Sequence, residues 1–244
     1  MRAYAIGDIH GHIGLLHGVH ELIARDMATH GPAQVVHVGD LVDRGPDSRA
    51  VIDFLIQGQN EGQDWVVLKG NHDRMFRRFL NDPNEPEPGL RPDLSWLHPR
   101  LGGPDTLASY GVHAPGDRPV APVHADAIAA VPAAHVAFLD GLKTSHQIGD
   151  LLFVHAGIRP GIPLSEQDEN DLVWIRAAFL DHTESHGPLV IHGHTAIETP
   201  THYGNRVNID SSAAYGGPLS VIVLEGREVF HLTPQGRIPL RPQG

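Results

Sequence analysis

The chain has 244 residues, enough for one α/β domain that buries roughly three quarters of the surface its unfolded form exposes. Its 29 acidic residues outnumber 18 lysines and arginines, and the net charge of −11 disfavours nucleic acid and anionic lipid as partners. Cysteine is absent, which excludes disulfides, thiolate metal sites and a cysteine nucleophile, and fits a reducing cytoplasm.

The first ten residues, MRAYAIGDIH, hold one arginine and a short apolar run that meets Asp8 at once. Neither a signal peptide nor a membrane span is expected there, and no later stretch approaches about eighteen consecutive apolar residues. Residues 3–6 (AYAI), 35–38 (VVHV) and 65–68 (WVVL) are apolar, largely β-branched runs that stop at polar, glycine-bearing turns, the pattern of buried parallel strands. Between the first two, Leu15, Val19, Leu22 or Ile23 and Met27 recur at three- and four-residue steps and predict a helix ending near Gly31-Pro32. Val51, Ile52, Leu55 and Ile56 repeat the pattern before the third strand.

Residues 81–122 carry many Pro, Gly and Asp with weak periodicity and predict a long surface excursion with one short helix, bordering the active site. The strand pattern returns with LLFVHAG from 151 and LVIHGHT at 189–195. The last forty residues, with VNID, SVIVLEGREVFHL and a turn at Glu225-Gly226, predict antiparallel strands and a hairpin. The whole chain therefore reads as a single domain, 1–244.

Two strand-helix-strand units of about thirty residues place strand C-termini on one edge, where open α/β sheets bind ligands. That spacing delivers the turns GDIHG (7–11), GDLVDRG (39–45) and GNHD (70–73) to one crevice. With the two later strand ends, the polar residues are Asp8, His10, Asp40, Asn71, His155 and His194, all oxygen or imidazole-nitrogen donors. Such a set suits two divalent ions, with manganese, iron or zinc as candidates. A two-metal site holds its ions about 3.5–4 Å apart, so one carboxylate must bridge them, and Asp40 is the central acid.

GDIHG, GDLVDRG, GNHD, VHAG and GHT, in this order across residues 7–195, resemble the phosphoprotein phosphatase branch of the calcineurin-like metallophosphoesterases, in particular compact bacterial Ser/Thr protein phosphatases. The resemblance implies an α/β fold of two mixed β-sheets packed as a sandwich with flanking helices. It implies that Asp8 and His10 bind the first metal, that Asp40 bridges, and that Asn71, His155 and His194 bind the second. Manganese is the expected metal, with iron or zinc as alternatives. It further implies direct attack on phosphorus by a water or hydroxide between the metals, with His72 as general acid, Asp43 orienting it, and Arg44 and Arg176 holding the phosphate. The expected substrate is a phosphorylated protein or small phosphoester.

Taken singly, each residue has an ordinary reading. Asp8 and Asp40 resemble helix N-caps, His155 a core histidine, and Arg176 a surface ion-pair partner. In IHGHT either histidine can serve as a ligand, because alternation puts both on one face of an extended segment, and the GHT resemblance favours His194, leaving His192 as a supporting or alternate ligand. His12, His17, His20, His30 and His37 are assigned to packing or solvent. Asp210 and Tyr215, in NIDSSAAYGG, lie in a stretch resembling the family's late loop near the active site, but turn chemistry explains Asp210 equally well, and neither is assigned a role. The alternative function is a symmetrical diadenosine tetraphosphatase, a sister family that typically has alanine at the position of Asp43. A phosphate-binding scaffold and a phosphodiesterase are weaker readings, the latter because GHT lacks a second histidine.

Overall fold

The computed structural model describes residues 1–243. The chain runs β1 (Arg2–Ile6), α1 (Ile13–His30), β2 (Gln34–His37), α2 (Ser48–Asn60), β3 (Trp65–Val67) and α3 (Asn71–Asn81). Three helices follow: α4 (Gly103–Ser109), α5 (Val120–Ala130) and α6 (Ala133–Asp140). The remainder is β4 (Ser145–Ile148), β5 (Leu151–Val154), α7 (Glu169–Trp174), α8 (Ala177–Leu180), β6 (Leu189–His192), β7 (Thr201–His202), β8 (Arg206–Asn208), β9 (Val221–Glu225), β10 (Glu228–Thr233) and β11 (Gly236–Pro239).

The strands form two mixed sheets, ordered β11-β10-β9-β1-β2-β3 and β4-β5-β6-β8-β7. β1, β2 and β3 are parallel, as the crossover spacing requires, and β9 runs antiparallel to β1. Alternation along β1 sets the layers: Ala3 and Ala5 face the second sheet, packing with Phe153, Ile191 and Val207, while Tyr4 and Ile6 face the helices. Leu16, Val19 and Ile23 of α1, Val51, Ile52 and Leu55 of α2, and Phe76 of α3 cover that outer face. Phe179, Leu172 and Ile175 cover the outer face of β5 and β6. The result is a sandwich of two sheets with helices outside, the fold implied by the motifs.

Several local expectations change. Leu15 does not lie on the buried stripe of α1: it is exposed, and its neighbour Leu16 packs in the core instead. The segment VNID is not part of the terminal hairpin, because β8 pairs parallel with β6 and antiparallel with β7. The excursion contains the one short helix expected, α4, but its last residues, 120–122, already belong to α5. α3 was hidden because its first turn is the GNHD motif itself, where the Asp73 carboxylate accepts the Gly70 N–H at 2.8 Å and the Leu41 N–H at 2.9 Å. Among the described residues no single helix is long and apolar enough to cross a membrane; α5 and α6 reach that length only together, bent by 96°.

Candidate active site

The C-terminal ends of β1, β2, β3, β5 and β6 open onto one crevice of about 200 Å³. Asp8, His10, Asp40, Arg44, Asn71, His72, Arg176 and His194 all line it. His155 lies beneath, fully buried, with its Nε2 2.9 Å from Asn71 Oδ1 and 3.3 Å from Asp40 Oδ1. All the residues singled out from the motifs thus converge in space, although they come from both sheets.

Asp40 is common to two groups of mutually close donors, one with His10 and His72, the other with His155 and His194. Asp40 thus sits between the two groups, and His72 stands beside His10 in the first. Asp8 lies at the crevice wall, its Oδ2 accepting the His194 N–H at 2.9 Å.

Backbone carbonyls fix the histidine tautomers. His10 Nδ1–H donates to Val42 O at 2.9 Å and His155 Nδ1–H to Val38 O at 3.0 Å, leaving each Nε2 lone pair aimed at Asp40. Burial also pushes the basicity of His10, His155 and His194 down, which keeps them neutral donors. Asp8 is pushed well above the usual carboxylate range by burial and by the charges of Asp210 and Asp40.

Three buried atoms in this crevice, Asp8 Oδ1, His194 Nε2 and Arg44 Nε, have no hydrogen-bond partner among the described residues, and the first two are metal-donor atoms. An unsatisfied buried polar atom costs about 1–3 kcal/mol, and one cation relieves a carboxylate oxygen and an imidazole nitrogen alike. The oxygen and imidazole donor set therefore fits hard or borderline divalent ions. Close backbone approach completes the cradle: a Cβ on Gly193 would lie 1.9 Å from Asp8 Oδ1, and one on Gly70 would lie 2.1 Å from Asp40 Oδ1.

The backbone is strained where the chemistry is. His10, Asp40, Asp43, Arg44 and His194 all have positive φ, between 46° and 74°, an arrangement that costs of order 1–2 kcal/mol per residue. The turn at His194 also corrects an expectation: by breaking the extended geometry it separates His194 from His192. His192 packs against Phe179, with its ring 5.0 Å away, and its Nε2 lies 3.3 Å from Arg206 Nη1, outside the crevice.

His72 and Asp43 form a buried pair, Nδ1–H donating to Oδ2 at 2.6 Å. Two groups unsuspected from sequence support it: Trp96 Nε1–H donates to Asp43 Oδ2 at 2.8 Å and Thr106 Oγ1–H to Asp43 Oδ1 at 2.7 Å. Trp96 lies in the excursion and Thr106 in α4, so the segment does border the site. Arg44 Nη1–H donates to His10 Nε2 at 2.8 Å, with its guanidinium 5.1 Å from the ring of Tyr215. Arg176 reaches Thr195 Oγ1 at 3.4 Å, and neither arginine pairs with a carboxylate among the described residues. Asp210 and Tyr215, assigned no role from sequence, also line the crevice. Asp210 ends VNID, two residues past β8, and the likeness of NIDSSAAYGG to the family's late loop was its signal in the sequence; nothing there marked Trp96 or Thr106.

A two-sheet sandwich with helices outside and a crevice of paired His/Asp donor groups defines a metal-binding hydrolase-type domain. The family model for calcineurin-like phosphoesterases matches residues 1–223, and the chain belongs to that family. It is 27% identical over 239 residues, covering 89% of this chain and 88% of the relative, to the asymmetrical bis(5'-nucleosyl)-tetraphosphatase PrpE of Anoxybacillus flavithermus. An uncharacterised Schizosaccharomyces pombe protein is 29% identical over 248 residues, covering 95% of this chain and 67% of the relative. Among solved structures, a cold-active protein tyrosine phosphatase superposes with a TM-score of 0.67 at 18% identity, covering 99% of this chain and 79% of its own. A protein provisionally called a diadenosine tetraphosphatase gives 0.63 at 21%, covering 98% and 94%. These structural likenesses carry the fold. The enzyme is a metallophosphoesterase.

Proposed function

We propose that the chain is a metal-dependent phosphomonoesterase that protonates its leaving group, acting on phosphoserine or phosphothreonine in proteins or on small phosphate esters. The observation that carries this reading is the His72–Asp43 pair, with His72 lining the crevice and Asp43 fully buried behind it, held by three side chains. An alkoxide is a poor leaving group and gains most from a positioned acid. Asp43 fixes His72 Nδ1 and leaves Nε2 as the atom that gives up the proton.

Asp8, His10, Asp40, Asn71, His155 and His194 would hold two divalent ions, manganese first, which supply a nucleophile near neutral pH and neutralise phosphate charge. Arg44 and Arg176 present guanidinium groups with no carboxylate partner at the same crevice; Arg44 Nη1 rests on His10 Nε2, and the remaining N–H groups of both would fork onto non-bridging phosphate oxygens.

A second reading is an asymmetrical bis(5'-nucleosyl)-tetraphosphatase, favoured by the PrpE relative that matches nearly its full length. This shifts the alternative from the symmetrical enzymes considered from sequence. The exposed ring of Tyr215 beside Arg44 offers a surface on which a nucleobase can stack. Phosphate release from a phosphoserine peptide and nucleotide release from diadenosine tetraphosphate, compared as kcat/KM on manganese-loaded protein, separate the two. Faster chelator-sensitive peptide turnover supports the first reading, and preference for the dinucleotide replaces it with the second.

A further inference from the structure

Outside the donor groups, the residue with the most concentrated and least explained interactions is Glu87, in the proline-rich part of the excursion. Its side chain is only 6% exposed. Its Oε1 accepts from Trp174 Nε1 at 2.8 Å and from Arg74, while Arg78 Nε lies 3.7 Å from Oε2. Arg74 in turn donates to Asn170 Oδ1 at 2.8 Å, so Glu87 ties the excursion to both α3 and α7.

Trp174 is the group this network holds. It stands at the end of α7, two residues before Arg176, and lines the crevice beside Leu90 and Leu101. The edge of its indole meets His194, with ring centroids 5.7 Å apart. Gly89 backs the indole so closely that a Cβ there would lie 2.3 Å from the ring. The excursion thus grips Trp174 twice, through the Nε1 hydrogen bond and through a glycine on which the ring rests.

We infer that Glu87 is a positioning residue for substrate selectivity: it holds Trp174 as the apolar wall that receives the organic portion of the phosphoester. This rests on the phosphomonoesterase reading and adds to it that flat aromatic or apolar esters are preferred over small hydrophilic ones. Trp174, Leu90 and Leu101 form an apolar side of the crevice, across from its charged and polar groups and apart from the exposed Tyr215 ring. A ring on the substrate can therefore pack against this wall.

The test compares phenyl phosphate with glycerol phosphate on manganese-loaded wild-type, Glu87→Ala, Glu87→Gln and Gly89→Ala proteins. Glu87→Ala is expected to lower kcat/KM for phenyl phosphate about tenfold, through KM, and to leave glycerol phosphate within about twofold. Glu87→Gln keeps an acceptor for Trp174 Nε1 and is expected to restore most of the loss. Gly89→Ala, which displaces the indole without touching Glu87, is expected to reproduce it and stands in if Glu87→Ala does not fold. Equal losses on both esters, or a loss in kcat at unchanged KM, overturn the role. If neither ester turns over, the phosphomonoesterase reading fails, and calorimetric binding of phenylphosphonate against methylphosphonate reads the wall directly. Weakening of the phenyl compound alone supports the inference, and parallel weakening overturns it.

Discussion

At the scale of single residues, the crevice works because the backbone holds one atom of each outer donor. His10 and His155 commit Nδ1 to a carbonyl and Asp8 commits Oδ2 to the His194 amide, while the Nε2 atoms of both histidines lie 3.3 Å from Asp40. Asp40→Asn removes the negative charge of the shared residue and replaces one acceptor oxygen with an NH2 donor, so metal and activity are expected to be lost together, measured as metal per chain after dialysis beside turnover. Arg44→Lys replaces a planar fork with a point charge and should raise KM about ten- to hundredfold, the loss of roughly 1.5–3 kcal/mol of charge-assisted hydrogen bonding, with kcat less affected. A rise below about twofold would remove Arg44 from the phosphate grip. The motifs made these side chains legible because glycine followed by an acid or amide recurred at strand ends. Their backbone strain was not legible, since His10, Asp40, Asp43, Arg44 and His194 carry no sequence mark of positive φ.

At the scale of elements, the parallel strands and their helices were read correctly because apolar periodicity is local. The missing pieces were those whose sequence is dictated by something non-local. The first turn of α3 is built from GNHD, whose residues answer to the crevice. The excursion has almost no periodicity, yet Trp96 and Thr106 reach back from it to Asp43. Trp96→Phe keeps the ring stacked on Phe76, 5.3 Å between centroids, while deleting the N–H. It should lower kcat on alkyl phosphates about tenfold, comparable to losing one hydrogen bond to a charged group of about 1.5–3 kcal/mol, with metal content unchanged. An unaltered kcat would mean that Thr106 and His72 suffice to hold Asp43.

Across the whole molecule, acid stability is set by histidines that do not line the crevice as well as by those within it. His37 is fully buried, and its Nδ1–H donates to Val66 O at 3.3 Å while His20 Nε2–H donates to His37 Nε2 at 3.0 Å. Burial lowers His20 to about 3 and His37 to about 4, so the unfolded chain binds protons that the folded chain refuses. Stability contributed by this pair is therefore complete above about pH 6.5 and declines as pH falls toward 4, by up to about 1.4 kcal/mol per pH unit for each histidine. Denaturant melts of metal-free protein between pH 7 and 4.5 should show a shallower decline in His20→Gln than in wild type, and an identical decline would contradict the assignment. Divalent ions should act in the opposite sense, adding about 2.7 kcal/mol at a hundredfold excess over Kd, and a chelator should reverse it.

The central claim is that His72, held by Asp43, protonates the leaving group of a phosphoester bound at the metal crevice. The most direct measurement is kcat/KM for a series of phosphate monoesters of increasing leaving-group pKa, on wild-type and His72→Asn proteins with their metal content determined. The account predicts equal metal content and a wild-type advantage that widens from a few-fold on activated aryl esters to about 10²–10⁴ on alkyl esters. A constant ratio across the series, or loss of metal with His72, would contradict it.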